Sequence, residues 1–295
     1  MKNHDQRGPD FLGIGVQKGG TTWLDRNLRV HPQIWMPPTK TIRYFNESSP
    51  TPLIIRAFGK EYYDQRWRKY VLKLFRRFRK RKPDQQWAWN MRYVLLPRTD
   101  RWYLSLFRPE AGQVGGEITP AYCRMPLDVV QHIHTLAPQA KIIYLIRNPI
   151  DRIWSHMAMR FDKRGCQLEE LSDEELHEFL ISKSAVDYSN CVMTLSNWEQ
   201  VYPADQFFVG FFDQLKSDSG MLLKSVYGFL EVDNSDEMIP KTVGKKQRKG
   251  NYRPMPDRFR RHLSTRYCDQ IEQLHNRFNN EYTENWLTKA REFAE

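Results

Sequence analysis

The chain has 295 residues, with 46 lysine and arginine residues against 35 aspartate and glutamate residues and a formal net charge of +11. Hydrophobic residues make up 40% of the sequence and aromatic residues 13%, which excludes a disordered chain and predicts a packed core. The positive charge favours anionic partners, and nucleic acid, a phosphorylated cofactor and an acidic glycan all fit it. The net charge alone does not distinguish among these three kinds of partner.

Cysteine spacing and hydropathy indicate whether the protein has a zinc site, disulfides or a membrane segment. The four cysteines are far apart and form no Cys-x-x-Cys pair, which argues against a zinc site and a disulfide framework. The first ten residues lack the apolar core of a signal peptide, and no run of about 18 apolar residues is present. We therefore expect a cytoplasmic protein without a transmembrane segment or a bound metal, with a tail at 1–10 and one domain at 11–295.

Strands alternate with helices in the hydrophobic pattern. Four apolar runs have the length of strands: 11–16, 114–117, 141–146 and 206–212. The first run is followed by a glycine-rich turn and by helical spacing over 22–30. The run at 141–146 leads to Asn148 and Pro149, a typical N-cap and first helical residue. This alternation predicts an α/β fold with a central parallel sheet flanked by helices.

Two basic segments lie outside this pattern. Residues 56–82 interleave arginine and lysine with aromatic residues at roughly helical spacing. This pattern fits either a nucleic-acid-binding surface or an amphipathic helix that packs its aromatic side against the protein. The helix is the more common origin of such a pattern, so we expect a helix here. Residues 233–256 have few large apolar residues and contain glycine and proline, which predicts a loop. This loop carries a basic cluster: Lys245, Lys246, Arg248 and Lys249.

The segment between the first strand and its helix has the composition of an anion-binding loop. Gly19 and Gly20 let backbone N–H groups approach an anion, and the helix start adds a partial positive charge. Lys18 supplies a full charge, and Thr21 and Thr22 supply hydroxyl donors in the first helical turn. The alternative is an ordinary glycine-rich turn capped by threonine.

The order of residues in this loop differs from that of a nucleotide triphosphatase. There the lysine follows the second conserved glycine and precedes a serine or threonine that binds Mg²⁺. Here Lys18 precedes the glycine pair, and no acidic strand end resembles the second metal-binding element. The loop therefore implies no metal.

Two motifs resemble those of the sulfotransferases that use 3′-phosphoadenosine 5′-phosphosulfate. The run from Gln17 to Leu24, which includes Trp23, is similar to the loop that binds the 5′-phosphosulfate in that family. The run from Arg147 to Ser155 matches the family's Arg-x-Pro-x-x-Arg-x-x-Ser motif, which binds the 3′-phosphate. A guanidinium and a hydroxyl near one helix start can clasp a terminal phosphate.

Shorter segments extend the resemblance over most of the chain, closest to the carbohydrate and bacterial branches of the family. Residues 116–122 are similar to the family's Gly-Glu-Lys-Ser/Thr-Pro-x-Tyr segment, and residues 38–45 to its Pro-x-Lys-Glu-x-x-x-Phe segment. The loop with Lys249 and Gly250 resembles the late basic loop that closes over the cofactor. The resemblance implies a sulfotransferase that uses this donor, without metal, on a hydroxyl or amine of a glycan, lipid or small molecule. A nucleic-acid-binding domain would explain neither phosphate motif.

The residues suggest how such a transfer is assisted. Sulfuryl transfer is an in-line displacement at sulfur, so the protein positions both reactants and neutralises the leaving phosphate oxygen. Lys18 is our candidate for that oxygen, with Thr21, Thr22 and the loop N–H groups on the 5′-phosphate. Lys249, or failing it Lys245 or Lys246, would complete the clamp and help to exclude water.

The general base is where the sequence departs from the family. The carbohydrate branch has glutamate directly after the lysine of its Pro-x-Lys-Glu segment, where this chain has Thr41, and the lysine expected after Glu117 is Ile118. Three residues are candidates for the base: Glu117 at a strand end, His156 in a helix, and Glu47 in a loop. An acceptor that needs little help, such as a phenol or an amine, is one alternative. A protein that binds the nucleotide without turnover is another.

Overall fold

A five-stranded parallel sheet forms the centre of the fold. The computed structural model describes residues 8–46, 62–78, 85–162, 172–245 and 254–294. The strands are β1 (Phe11–Gly15), β2 (Ile34–Trp35), β3 (Val114–Ile118), β4 (Lys141–Ile146) and β5 (Phe207–Phe211). They lie in the order β2-β3-β1-β4-β5, and each neighbouring pair is parallel. The prediction of an α/β fold with a central parallel sheet is confirmed.

Helices connect the strands and cover both faces of the sheet. In chain order they are α1 (Thr21–Leu28), α2 (Tyr62–Phe78), α3 (Gln85–Leu95), α4 (Asp100–Ser105), α5 (Leu127–Leu136), α6 (Pro149–Asp162), α7 (Asp173–Ile181), α8 (Lys183–Ser189), α9 (Cys191–Glu199), α10 (Phe212–Ser217), α11 (Ser219–Phe229), α12 (Asp257–Phe278) and α13 (Glu281–Ala294). Short 3₁₀ turns lie at Pro120–Arg124, Ala204–Gln206 and Asp236–Met238. Within the described ranges, no helix is both long enough and apolar enough to cross a membrane.

Strands β1 and β4 are buried on both sides, which explains why their sequences are almost continuously apolar. On one face, Ile142 and Tyr144 pack in a cluster with side chains of α5, α6, α9, α12 and α13. On the other face, Ile143 and Leu145 pack with side chains of α1 and α11. The sheet therefore supports rigid strand ends at its carboxyl edge.

The basic, aromatic segment at 56–82 contains the helix α2. Residues 56–61 and 79–82, at the two ends of this segment, lie outside the described residues. Leu74 of α2 is buried, and Tyr70 donates its phenol hydrogen to Oδ1 of Asn90 in α3 at 2.6 Å. The Tyr70 ring also packs edge-on against Tyr93, with ring centres 5.2 Å apart. This packing agrees with the amphipathic-helix interpretation.

Gly116 in β3 has no room for a side chain, which gives a stability prediction. A Cβ at this position would fall against the carbonyl oxygen of Phe11 and 2.5 Å from its Cδ1. We expect Gly116→Ala to lower the free energy of unfolding in urea by about 2 kcal/mol, within the range for overpacked cores.

Gly220 in α11 is the matched control for Gly116. Its Cβ would meet Oδ1 of Asp218 at an ordinary 3.5 Å. Gly220→Ala should therefore raise the free energy of unfolding by about 0.5–1 kcal/mol, because alanine favours a helix over glycine. Equal effects of the two substitutions would show that the contact with Phe11 is not what excludes a side chain at Gly116.

Candidate functional site

The loops that carry the two predicted phosphate motifs meet at the carboxyl edge of the sheet. They follow β1 and β4, which are neighbouring parallel strands. Arg147 donates a hydrogen bond from Nη1 to the carbonyl oxygen of Lys18 at 3.0 Å. The structure thus brings Lys18 and Arg147 together, in the kind of crevice where ligands bind to open α/β sheets.

The turn before α1 is a tight loop that leads into an uncapped helix start. Gly20 has a φ of 100°, a left-handed conformation that favours glycine. A Cβ at Gly19 would lie 2.7 Å from the carbonyl oxygen of Leu145, so the loop packs directly on β4. The first turn of α1 has no acidic residue and no side-chain cap at its start. The partial positive charge of the helix start therefore favours a bound anion here.

Two lysines lie at this turn. Lys18 is part of the loop, with a φ of 73°. Lys40 reaches the loop from an irregular segment, and its Nζ lies 2.9 Å from Oγ1 of Thr22 and 3.4 Å from Oγ1 of Thr21. Lys40 lies in one of the segments that resemble the family, and no role was predicted for it. The signal that could have found it is its position directly before Thr41.

The second motif lies at the start of α6. The Asn148 side chain accepts a hydrogen bond from the N–H of Ile150 at 2.9 Å, as expected of a residue that caps a helix. The Arg147 guanidinium lies 4.4 Å from the ring centre of Phe212, a second contact that fixes its plane. Ser155 is buried further along α6. The contact of Arg147 with Phe212 was not predicted, because nothing in the motif indicates which ring faces the arginine.

Trp23 joins α1 to the beginning of the late basic loop. Its side chain is buried between the sheet and α11, and its indole N–H donates to the carbonyl oxygen of Val243 at 2.8 Å. Lys245 is exposed just beyond this anchor. The other predicted residues of the loop lie outside the described residues: Lys246, Arg248, Lys249 and Gly250.

Glu117 is fully buried, in surroundings unlike those of an active-site base. Burial raises the pKa of its carboxyl, and the hydrogen-bond donors around it offset only part of that rise. These donors are Ile42 N at 3.1 Å, Tyr103 Oη at 2.9 Å, Thr119 Oγ1 at 2.7 Å and Tyr122 Oη at 3.0 Å. A carboxylate that is enclosed and bonded by four donors is placed to hold the chain rather than to take a proton from an acceptor.

His156 is also buried. It packs edge-on against the rings of Phe179 and Tyr188, at 5.3 and 6.4 Å between ring centres. Burial and, after it, the nearby positive charges of Arg152, Arg160 and Lys18 together lower its pKa to about 3. The imidazole is therefore neutral near pH 7 and can accept a proton, but it is a weak base.

This burial predicts a stability loss in acid. The unfolded chain protonates His156 near pH 6.5 and the folded protein only near pH 3. Protonation therefore favours the unfolded state, and stability falls between pH 6.5 and 3, by about 2 kcal/mol at pH 5. Urea unfolding of the wild type and of His156→Gln at pH 7 and 5 measures this contribution. A stability difference between the two proteins that does not change with pH would contradict it.

The structure also shows the surroundings of Thr41 and Ile118, the two positions where the sequence departs from the family segments. Thr41 is half-buried between Lys40 and Ile42. Ile118 is fully buried in the apolar cluster on the α1 side of the sheet, where it replaces the lysine of the family segment. Glu47 lies outside the described residues. Within the ranges that the structure covers, no three His, Cys, Asp or Glu residues are grouped so as to hold a metal ion.

Comparison with known proteins identifies the family of the chain. The model of the Sulfotransferase family matches residues 9–236, which is most of the chain. The chain belongs to the sulfotransferase family. This sulfotransferase is 27% identical over 230 residues to heparan sulfate glucosamine 3-O-sulfotransferase 6 of Mus musculus, covering 76% of this chain and 53% of that protein. It is 26% identical over 196 residues to a membrane-associated sulfotransferase of Dictyostelium discoideum, covering 66% of this chain and 32% of that protein.

Solved structures share the fold of this sulfotransferase. A sulfotransferase from Alicyclobacillus acidocaldarius superposes with a TM-score of 0.63 at 20% identity, covering 94% of this chain and 98% of that one. The sulfotransferase domain of the Synechococcus PCC 7002 olefin synthase gives a TM-score of 0.55 at 19% identity, covering 85% and 84% of the two chains. Both likenesses concern the fold alone, and the chain spans a third to about half of the curated relatives named above.

Proposed function

We propose that this sulfotransferase moves a sulfuryl group from 3′-phosphoadenosine 5′-phosphosulfate to a hydroxyl or amine of a glycan, lipid or small-molecule acceptor. The observation that carries the proposal is the contact between Arg147 and the carbonyl oxygen of Lys18. It places two cationic strand ends side by side, as a nucleotide with phosphate groups at both its 3′ and 5′ positions requires. The turn at Gly19 and Gly20 leads into a helix start without a side-chain cap, and the positive end of that helix suits the 5′-phosphosulfate.

The proposed reaction forms a bond from the acceptor oxygen or nitrogen to sulfur and breaks the bond from sulfur to the bridging phosphate oxygen. The electron pair of the broken bond stays on the phosphate, and the proton of the acceptor hydroxyl or amine passes to water. Lys18 and the N–H groups at the start of α1 neutralise that charge, while Thr21 and Thr22 hold the 5′-phosphate. Arg147 and Ser155 bind the 3′-phosphate and so fix the donor in line with the acceptor.

The surroundings of Glu117 and His156, the two described candidates for the general base, indicate what kind of nucleophile the acceptor provides. Glu117 is enclosed by donors, and His156 is a weak base. We therefore propose that the acceptor provides a nucleophile that needs little general-base help, such as a phenol or an amine. Base assistance typically contributes about 10²–10⁴-fold, so an alkyl alcohol should react more slowly than a phenol by a factor in that range.

A donor assay tests the proposed function. The protein is incubated with donor labelled at sulfur and a panel of acceptors: a phenol, an amine, an alkyl alcohol and, from the name of one relative, heparan sulfate. Label should move to at least one acceptor, at a rate unchanged by EDTA, because the proposed clamp uses cationic side chains and backbone N–H groups. Loss of transfer in EDTA would show that a metal takes part.

A nucleotide-binding protein without turnover is the second candidate function. It is favoured by Thr41 at the position of the family's glutamate and by the burial of Glu117. Binding of the 3′,5′-bisphosphate product, followed by isothermal titration calorimetry, separates the two candidates. Tight binding with no transfer to any acceptor supports this second function, whereas the absence of both binding and transfer contradicts both.

A further inference from the structure

We propose that Lys40 binds the 5′-phosphate of the donor beside Lys18, and that Glu117 positions it. This inference rests on the proposed function and adds to it a binding residue and a positioning residue. Neither role follows from the two phosphate motifs, since residues 38–45 lie in neither of them. We call residues 38–45 the Lys40 segment.

The electrostatics of the start of α1 support an anion next to Lys40. The Lys40 ammonium donates to Oγ1 of Thr22 at 2.9 Å and lies 3.4 Å from Oγ1 of Thr21, and both threonines are in the first turn of α1. A helix start carries a partial positive charge, and the Lys40 ammonium adds a full charge beside it. Lys18 adds a second cation to the same turn. An anion at this turn would be attracted by the helix start and by both lysines, and the 5′-phosphate is the anion that the proposed function supplies.

The Lys40 segment contains no helix or strand, so its position depends on other contacts. Two of its backbone N–H groups are anchored in the buried network around Glu117. Ile42 N donates to Oε2 of Glu117 at 3.1 Å, and Tyr44 N donates to Oη of Tyr122 at 3.1 Å. Tyr122 in turn donates to Oε1 of Glu117 at 3.0 Å. One buried carboxylate therefore holds both anchors.

Aromatic packing strengthens the same anchor. The Tyr44 ring stacks on Tyr103 with ring centres 5.2 Å apart, and Tyr103 donates its phenol hydrogen to Glu117 at 2.9 Å. Ile42 is buried in the same aromatic cluster. Because Lys40 lies two residues before Ile42, this anchor fixes the point from which the lysine side chain extends. Glu117 thus acts on the donor through the backbone of the Lys40 segment.

Calorimetric titration with two nucleotides tests Lys40. Lys40→Met should weaken the 3′,5′-bisphosphate about tenfold, the loss expected for one charge-assisted hydrogen bond. It should leave adenosine 3′-phosphate unchanged, because that nucleotide has no 5′-phosphate. Lys40→Arg should restore most of the affinity for the bisphosphate. Lys289→Met, at an exposed residue of α13, removes the same charge far from the loop and should change neither affinity.

The role of Glu117 is tested in the same assay with a double-mutant cycle. Glu117→Gln replaces one acceptor oxygen by a donor and should loosen the anchor at Ile42. It should weaken the bisphosphate by severalfold in the wild type and by much less in the Lys40→Met background. A purely structural role would lower the melting temperature and weaken the bisphosphate equally in both backgrounds.

The outcomes separate this inference from the proposed function. If the wild type binds neither the bisphosphate nor the donor, the proposed function fails and the inference fails with it. If the wild type binds the bisphosphate and Lys40→Met binds it equally well, only the role of Lys40 is overturned. Equal weakening of the bisphosphate and of adenosine 3′-phosphate by Lys40→Met also overturns it, because the lysine then acts through the fold.

Discussion

Replacing Lys18 by methionine is expected to lower kcat by about a hundred- to thousandfold, the usual cost of removing one group that stabilises transition-state charge. Negative charge develops on the bridging phosphate oxygen as sulfur leaves it, and Lys18 lies in the loop proposed to hold that oxygen. The KM for the donor should change by less than about tenfold, because less charge is present on that oxygen before reaction. Steady-state kinetics at saturating acceptor measure both constants.

Lys18→Arg is the matched variant for this experiment. Arginine and methionine both have a Cβ, so both variants carry the same backbone preference at the φ of 73°. Arginine keeps the positive charge, and Lys18→Arg should retain far more activity than Lys18→Met. Equal losses in the two variants would show that the geometry of the loop, not the charge, was removed. A rise in KM as large as the fall in kcat would place Lys18 in donor binding alone.

Replacing Arg147 by alanine should weaken the 3′,5′-bisphosphate about a hundredfold, because a guanidinium can make two charge-assisted hydrogen bonds to one phosphate. Affinity for adenosine 5′-phosphosulfate, which lacks the 3′-phosphate, should change less than about threefold. Calorimetric titration of both nucleotides measures the contrast. Of the substitutions considered, this one should affect nucleotide binding most.

The contact between Arg147 and the Lys18 carbonyl oxygen provides an internal control. If the arginine acts mainly by holding the loop, its removal disturbs the 5′ site as well as the 3′ site. Both nucleotides would then lose affinity equally, and the assignment of Arg147 to the 3′-phosphate would be contradicted. Arg147→Lys, which keeps the charge but not the planar fork, should bind the bisphosphate with intermediate affinity.

The sheet was predictable because its strands are buried on both faces. The apolar run at 141–146 coincides with β4, and the other three predicted strands differ from the observed ones by a residue or so at their ends. Strand β2 was missed, since two residues are too short to show a period. The two phosphate motifs were visible for a related reason: each follows directly on such a strand.

The surroundings of the candidate bases were not predictable, because they depend on residues distant in the chain. A glutamate at a strand end is typical of an active site, and nothing in the sequence shows that Tyr103, Tyr122 and Ile42 enclose Glu117. Lys40 illustrates the same limit: it is 18 positions from Thr22 and reaches it from a segment without regular structure. Periodicity carries no information about such contacts.

Because β1 and β4 are neighbouring strands, the sheet sets the distance between the two proposed phosphate sites. Neighbouring strands are about 4.8 Å apart, and the hydrogen bonds of the ladder hold that spacing far more firmly than any side-chain rotamer. The proposed 3′ and 5′ sites follow these two strands, so their separation is a property of the backbone. Discrimination between a 3′-phosphate and its 2′ isomer should therefore survive side-chain substitutions in either motif, even where these substitutions weaken both isomers.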